Sequence, residues 1–193
     1  LCHGLIEVFE HIGGVPPVIV MDNATGAGRR NAKGEVTPSA VFDAFLAHHR
    51  IDARFCNPYS GWEKGSVENA VGFLRRNLMV PKPNAESHRQ PARHLLSRCD
   101  AIAETDHYRS GRPIRELFDE DRGEMQPLPR ARFDAVEWVE RKADKEGNIQ
   151  IGSVRCLAGP SWRGWTMLAG LRAFEVEIRT TDGRHVNTLP RSY

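Results

Sequence analysis

Val18-Ile19-Val20-Met21-Asp22-Asn23 is the stretch on which the fold of this 193-residue chain turns. With Val15 ahead of it, the run to Met21 is short, apolar and rich in valine and isoleucine. It reads as a buried strand whose carboxyl end delivers Asp22 and Asn23 into a loop. Upstream, Leu5, Ile6, Phe9 and Ile12 recur at helical spacing until Gly13-Gly14 stops the helix. Downstream, the Gly/Arg/Asn-rich stretch from Thr25 to Gly34 predicts a mobile loop. Thr37 with Pro38 predicts a helix N-cap followed by a first-turn proline. Val41, Phe42, Phe45 and Leu46 then make one buried face, and Ile51 to Cys56 is a second short strand ending at Asn57-Pro58.

Farther along, Val67, Val71, Leu74 and Leu78 form the stripe of a helix packed on a sheet. The order helix–strand–helix–strand–helix means α/β. Two strands do not complete a sheet covered on both faces, so the chain is expected to begin in the middle of a domain. From Pro91 a further helical segment carries Leu95, Leu96 and Ile102. The tail changes character: Asn148 to Ile151, Val154 to Leu157, Trp165 to Leu168, Ala173 to Arg179 and His185 to Leu189 read as strands separated by glycine turns. Asp182-Gly183 is a strong hairpin signal, and five short strands in so little chain predict a small barrel.

Composition narrows the classes. Apolar residues make up 40% and charged residues 27%, which suits a globular protein rather than a disordered one. No apolar run approaches the roughly 20 residues of a membrane-spanning helix, and the opening ten residues lack the pattern of a signal peptide, so an intracellular protein is expected. Cys2, Cys56, Cys99 and Cys156 form no C-x-x-C pair, against both a zinc knuckle and a disulfide framework. Net charge is only +2, yet 22 of the 27 basic residues are arginine, as either a GC-rich genome or a phosphate partner would favour. By segment the charge is −1 over 1–60, +4 over 61–99, −4 over 100–146 and +3 over 147–193. The acidic stretch, with Pro113, Pro127, Pro129 and the run Asp119-Glu120-Asp121, reads as a connector.

Two carboxylates carry the candidate chemistry. Asp22 follows a buried strand, where open α/β sheets place ligands. Glu68 lies on the amphipathic helix, with Gly72 one turn on, Arg75 two turns on and Lys64 one turn before. Hard divalent cations such as magnesium choose carboxylate oxygens, and a metal pair about 4 Å apart aligns the attacking and leaving oxygens of phosphoryl transfer. Lys64, Arg75 and Arg76 around such a pair suit a phosphate substrate. His48-His49 with Cys56 is a weaker metal candidate, since adjacent helical residues point apart. Trp62, read as a loop residue beside the glutamate helix, Trp162 and Trp165 would all suit stacking on bases, with core packing or barrel filling the favoured role for Trp165. Arg163, Arg172, Arg179 and Arg184 would meet phosphate backbone or serve solubility alone.

The strand Val18 to Asn23 resembles the second-aspartate strand of the retroviral-integrase and DDE-transposase superfamily. Pro58-Tyr59, five residues, and then Gly65-Ser66-Val67-Glu68-Asn69 resembles that superfamily's glutamate motif. Forty-five residues separate Asp22 from Glu68, a spacing similar to the IstA-type transposases of bacterial insertion sequences. Gly111-Arg112-Pro113, Leu117-Phe118 and Pro127-Leu128-Pro129 resemble its linker, and the strand-rich tail resembles its C-terminal barrel. The resemblance implies the C-terminal half of a ribonuclease-H-like integrase core over 1–82, lacking its first strands. A helical, proline-containing linker over 83–132 and a small all-β barrel over 133–193 would follow.

It further implies DNA strand transfer with Mg2+ (or Mn2+), Asp22 and Glu68 being the second and third metal ligands. Asn23, Trp62, Lys64, Arg75 and Arg76 become candidates for DNA contact. The partners implied are transposon-end and target DNA, further copies of the chain on DNA, and an ATPase helper, in the bacterial cytoplasm at the nucleoid. The family's first catalytic aspartate precedes the opening helix and has no counterpart after Leu1, so the chain is expected to be inactive alone. The alternative is a non-catalytic DNA-binding or multimerising remnant.

Overall fold

The computed structural model describes the backbone of residues 1–21, 26–31, 34–56, 61–80 and 89–192, and the side chains of these residues except at 61–68 and 89–92. The first unit opens with helix α1, Cys2–Ile12, which ends because Gly13 takes a left-handed conformation at φ 72°. Strand β1, Val18–Met21, pairs in parallel with β4, Asp52–Phe55. Between them come the antiparallel pair β2, Gly28–Arg30, and β3, Val36–Pro38, then helix α2, Ala40–His49. Ile6 and Phe9 of α1 meet Phe42 and Phe45 of α2 in the core, with Ile19, Met21, Ala53 and Phe55 of the strands packed against them.

The strand alternation explains one departure from the sequence reading. Residues 19, 21, 53 and 55 face the helices, whereas Val18 and Val20 share the opposite face with Asp52 and Arg54. Val20 is consequently 65% exposed, so β1 is covered on one face rather than buried on both. Two further expectations change here. The described part of the expected mobile loop holds β2 and a turn closed by paired Asn31–Glu35 bonds, Asn31 Nδ2 donating to Glu35 Oε2 at 2.7 Å and Glu35 N to Asn31 Oδ1 at 3.0 Å. Thr37 and Pro38 sit in β3, and Ser39 caps α2 instead, its hydroxyl accepting from Phe42 N at 3.4 Å.

Helix α3, Gly61–Leu78, leads to α4, Arg89–Ala103, and α5, Ile114–Arg122, which contains the acidic run expected in a connector. The chain then returns to the first unit. Gln126 makes a two-way backbone bridge with Val15, His48 Nε2 bonds the Ala131 carbonyl at 2.9 Å, and Arg132 pairs with Glu7 and Glu10. Phe133 and Ala135 pack on the core, Phe133 edge-on to Phe45 with ring centres 5.6 Å apart. Nothing in the charge pattern announced this strap. No helix among the described residues is long and apolar enough to cross a membrane.

In the tail, β5, Glu137–Lys142, β8, Thr166–Leu171, β9, Glu175–Thr180, and β10, His185–Pro190, form one antiparallel sheet in the order β10-β9-β8-β5. The hairpin β6, Asn148–Ile151, with β7, Val154–Leu157, stands apart as its own pair. All five expected strands are present, and Asp182-Gly183 turns β9 into β10. Strand β5 was missed because its sequence, Glu-Trp-Val-Glu-Arg-Lys, is mostly charged and lies in the acidic connector. Among the described residues no ladder closes the sheet into a barrel. Side chains bridge the gap instead: Arg141 Nε donates to Gln150 O at 3.2 Å and Asn187 Nδ2 to Leu157 O at 2.9 Å. Ile149, Met167, Ala169, Val176 and Ile178 fill the space between sheet and hairpin.

Beside this core a charged network ties strap to sheet. Arg172 donates to both carboxylate oxygens of Asp134, at 2.9 and 2.7 Å, and to Glu177 at 2.6 Å; Arg179 reaches the other oxygen of Glu177 at 2.5 Å. Burial works to raise the Glu177 pKa, but the hydrogen bonds and charges of Arg179 and Arg172 prevail and hold it below its ordinary 4.5. A depressed carboxyl adds stability above its unfolded pKa, and that stability is lost as pH falls through the folded value. The melting temperature should therefore drop below pH 4.5 by a component that Glu177→Gln removes, and at neutral pH that variant should cost about 2 kcal/mol. At Gly147, φ is 82° and an added Cβ would lie 2.1 Å from the Gly159 carbonyl oxygen, whereas Gly152, at φ 57°, has open space. Gly147→Ala should destabilise the tail by about 3 kcal/mol or more and Gly152→Ala by about 1 kcal/mol in denaturant titrations.

Candidate functional site

Parallel pairing sends the carboxyl ends of β1 and β4 out at the same edge. Met21 O accepts the Cys56 amide at 2.8 Å, so the last residues of both strands are held side by side. Asp22 directly follows Met21 in the chain, and Gly61, the first residue of α3, follows Cys56 by five positions. Arg30 lies on the same rim: its Nη2 donates to Cys56 O at 2.8 Å, and its Nη1 donates to the Gly34 carbonyl. Sequence reasoning missed Arg30 because it treated that stretch as a loop with no fixed neighbour.

Asp22 and Asn23 lie outside the described residues. The backbones of Trp62, Lys64 and Glu68 belong to α3, and their side chains fall outside the description. Trp62 is thus in the first turn of the helix rather than in a loop, α3 starting at Gly61. Helical spacing puts positions 64, 68, 72 and 75 on one side of α3. The Arg76 guanidinium folds back over that side, its Nη1 standing 3.2 Å from where a Cβ on Gly72 would be. Arg75 and Arg76 are both exposed. The side of α3 expected to pack on the sheet is open over its described part: Val71 is 48% and Leu74 36% exposed, and Leu78 alone is buried. The outer sheet face carries Asp52 and Arg54 beside Val18 and the exposed Val20.

The weaker metal candidate has a different occupation. His48 bonds Ala131 O, and His49 Nδ1 bonds the Phe45 carbonyl at 2.9 Å inside the core. Burial lowers the His49 pKa against that bond, and the ring packs among Phe9, Phe45 and Phe133. A cleft of about 800 Å³ lies between the start of α2 and the tail sheet. Its lining includes Ser39, Glu137, Arg172 and Arg191.

At the far end of α3, Arg98 of α4 donates to Leu78 O at 3.2 Å and to Asn77 O at 2.5 Å, placing a cation on the helix's last carbonyls. Arg98→Ala should cost about 1 kcal/mol and speed amide exchange across residues 75–79, while leaving exchange in β8 and β9 unchanged.

No protein-family model matches the chain. It is 36% identical over 189 residues to a protein of Pseudomonas aeruginosa named transposase for insertion sequences IS1326/IS1353, a match covering 97% of this chain and 37% of that one. A transposase of Aminobacter aminovorans is 31% identical over 70% of the chain and 27% of its own length. A protein of Geobacillus stearothermophilus named putative transposase for insertion sequence element IS5376 is 25% identical over 85% of the chain and 40% of its own length. The chain is a relative of insertion-sequence transposases and spans little more than a third of the length of the first of these relatives.

Proposed function

We propose that the chain serves DNA transposition by metal-dependent phosphoryl transfer, as a portion of an IstA-type transposase with a ribonuclease-H-like core. The observation that carries the reading is the adjoining pair of strand ends, Met21 O to Cys56 N at 2.8 Å, from which Asp22 leaves β1 and the chain runs on to the helix of Glu68. The donor set fits a hard cation: two carboxylates, with water and phosphate oxygens completing the shell, is the ordinary provision for magnesium. Asp22 and Glu68 would hold Mg2+ or Mn2+, which supplies charge neutralisation and an acidified water. Lys64, Arg75 and Arg76, with Asn23 and Trp62, would bind the DNA strand and hold its phosphate in place. In the reaction class, water opens a phosphodiester to free a 3′-hydroxyl, and that hydroxyl displaces an alcohol from a target phosphodiester.

Transposon-end and target DNA are the partners on this reading, with further copies of the chain and an ATPase helper following from the family resemblance. Two carboxylates are one fewer than that family uses, so the purified chain is expected not to cleave or join DNA alone.

Mn2+ titration followed by electron paramagnetic resonance tests the metal site. Asp22→Asn and Glu68→Gln should each weaken retention about tenfold or more at unchanged circular dichroism. Equal retention in parent and both variants would sink the carboxylate pair. Magnesium-dependent cleavage of a labelled duplex by the chain alone, abolished by Asp22→Ala, would contradict the expected inactivity and leave the pair standing.

A further inference from the structure

Trp165 was expected inside the tail and stands outside it, 56% exposed. It lies one residue ahead of β8, past the end of the packed row Met167 and Ala169. Its backbone is fixed at both ends, Trp165 N donating to Trp162 O at 3.0 Å and Trp165 O accepting Ala143 N at 2.8 Å. The indole meets Trp162 edge-on, with ring centres 5.4 Å apart at 87°, and the Arg184 guanidinium lies 5.0 Å from the centre of the Trp162 ring. An exposed aromatic is therefore held in one place by fixed backbone and by a second aromatic that is itself braced.

Its surroundings are cationic. Arg163 is two residues before Trp165 and Arg184 covers Trp162, whereas Lys142, opposite Thr166 in the β5–β8 register, lies on the other face of the sheet from the Met167 row. Neither arginine forms a salt bridge among the described residues, and Arg163 Nε donates to the Pro160 carbonyl at 3.0 Å. The carboxylates nearby are engaged: Asp182 accepts from the Thr180 hydroxyl and the Arg184 amide and is also attracted by the Arg184 charge, and Asp144 accepts from the amides of Glu146 and Asn148 at 2.9 and 2.8 Å.

From this juxtaposition we infer that Trp165, braced by Trp162 and flanked by Arg163 and Arg184, is a stacking platform for an unpaired base of single-stranded DNA. An unpaired base offers the indole a free π-face while its phosphates meet the cations. A duplex has phosphates but keeps its π-faces stacked within. An apolar protein surface would cover the indole but give the two arginines no phosphate to meet. The inference rests on the nucleic-acid partner proposed above, but it does not depend on the carboxylate pair.

The test uses the full chain and fluorescence anisotropy with labelled oligo(dT) and with a blunt duplex of equal length. Trp165→Ala should lose about tenfold in single-strand affinity, with Trp165→Phe retaining most of it and duplex affinity barely changed. Arg184→Gln should flatten the salt dependence of single-strand binding, and because both positions are exposed, unfolding temperatures should match the parent. Parent-like single-strand binding by Trp165→Ala, or an equal loss on duplex, overturns the platform while leaving DNA as a partner. Binding to neither polymer overturns both. Self-association that depends on Trp165, without DNA binding, replaces the base with a protein surface and overturns the inference.

Discussion

The parallel pairing of β1 with β4 is the constraint on which the first unit depends. Antiparallel strands would carry their carboxyl ends to opposite edges; parallel ones bring Met21 and Cys56 together and make one edge the point where two separate stretches of chain meet. The connection is long enough to permit this because α2 spans it, and Phe42 and Phe45 of α2 bury against Phe9 of α1 over the inner sheet face. The apolar packing thus fixes the strand register, and the register decides which residues emerge beside each other. Arg30, reaching from the β2–β3 pair to Cys56 O, belongs to the same arrangement.

A second set of interactions joins this unit to the tail. The strap at 126–135 supplies Phe133 and Ala135 to the first core, Arg132 to the carboxylates of α1, and Asp134 to Arg172. Arg172 then meets Glu177, so a single guanidinium touches both the strap and the middle of the sheet. Asp134 and Glu177 hold Arg172 more firmly protonated than an ordinary guanidinium. A network of this kind contributes modest net stability, yet removing one member leaves its partners poorly solvated, which gives the junction its geometry.

Much of this was legible in the sequence, and the lapses share a cause. The helical stripe of α1, the face of α2, the β4 strand and the limits of β6 and β7 follow from periodicity and glycine turns, which are local signals. Strand β5 was unreadable because Glu137, Glu140, Arg141 and Lys142 face solvent and only its pairing with β8 makes it a strand. The strap was unreadable because its role lies in contacts more than a hundred residues distant, such as Arg132 with Glu7. Of the candidate site, the glutamate motif placed its residues on a helix, as α3 bears out for the backbone of Glu68. Trp165 was misjudged because burial of a lone tryptophan depends on whether the core has room, and Met167, Ile149 and Ile178 already fill it.

The strap also bears on how the chain tolerates being divided. A cut at residue 82 would separate the first unit from Phe133 and Ala135, baring apolar surface on α2 and leaving Glu7 and Glu10 without their arginine. The helical region between is therefore not a tether joining two self-sufficient bodies. The front of the molecule borrows part of its interior from a segment made much later on the ribosome, so it reaches its finished form only once that segment has emerged.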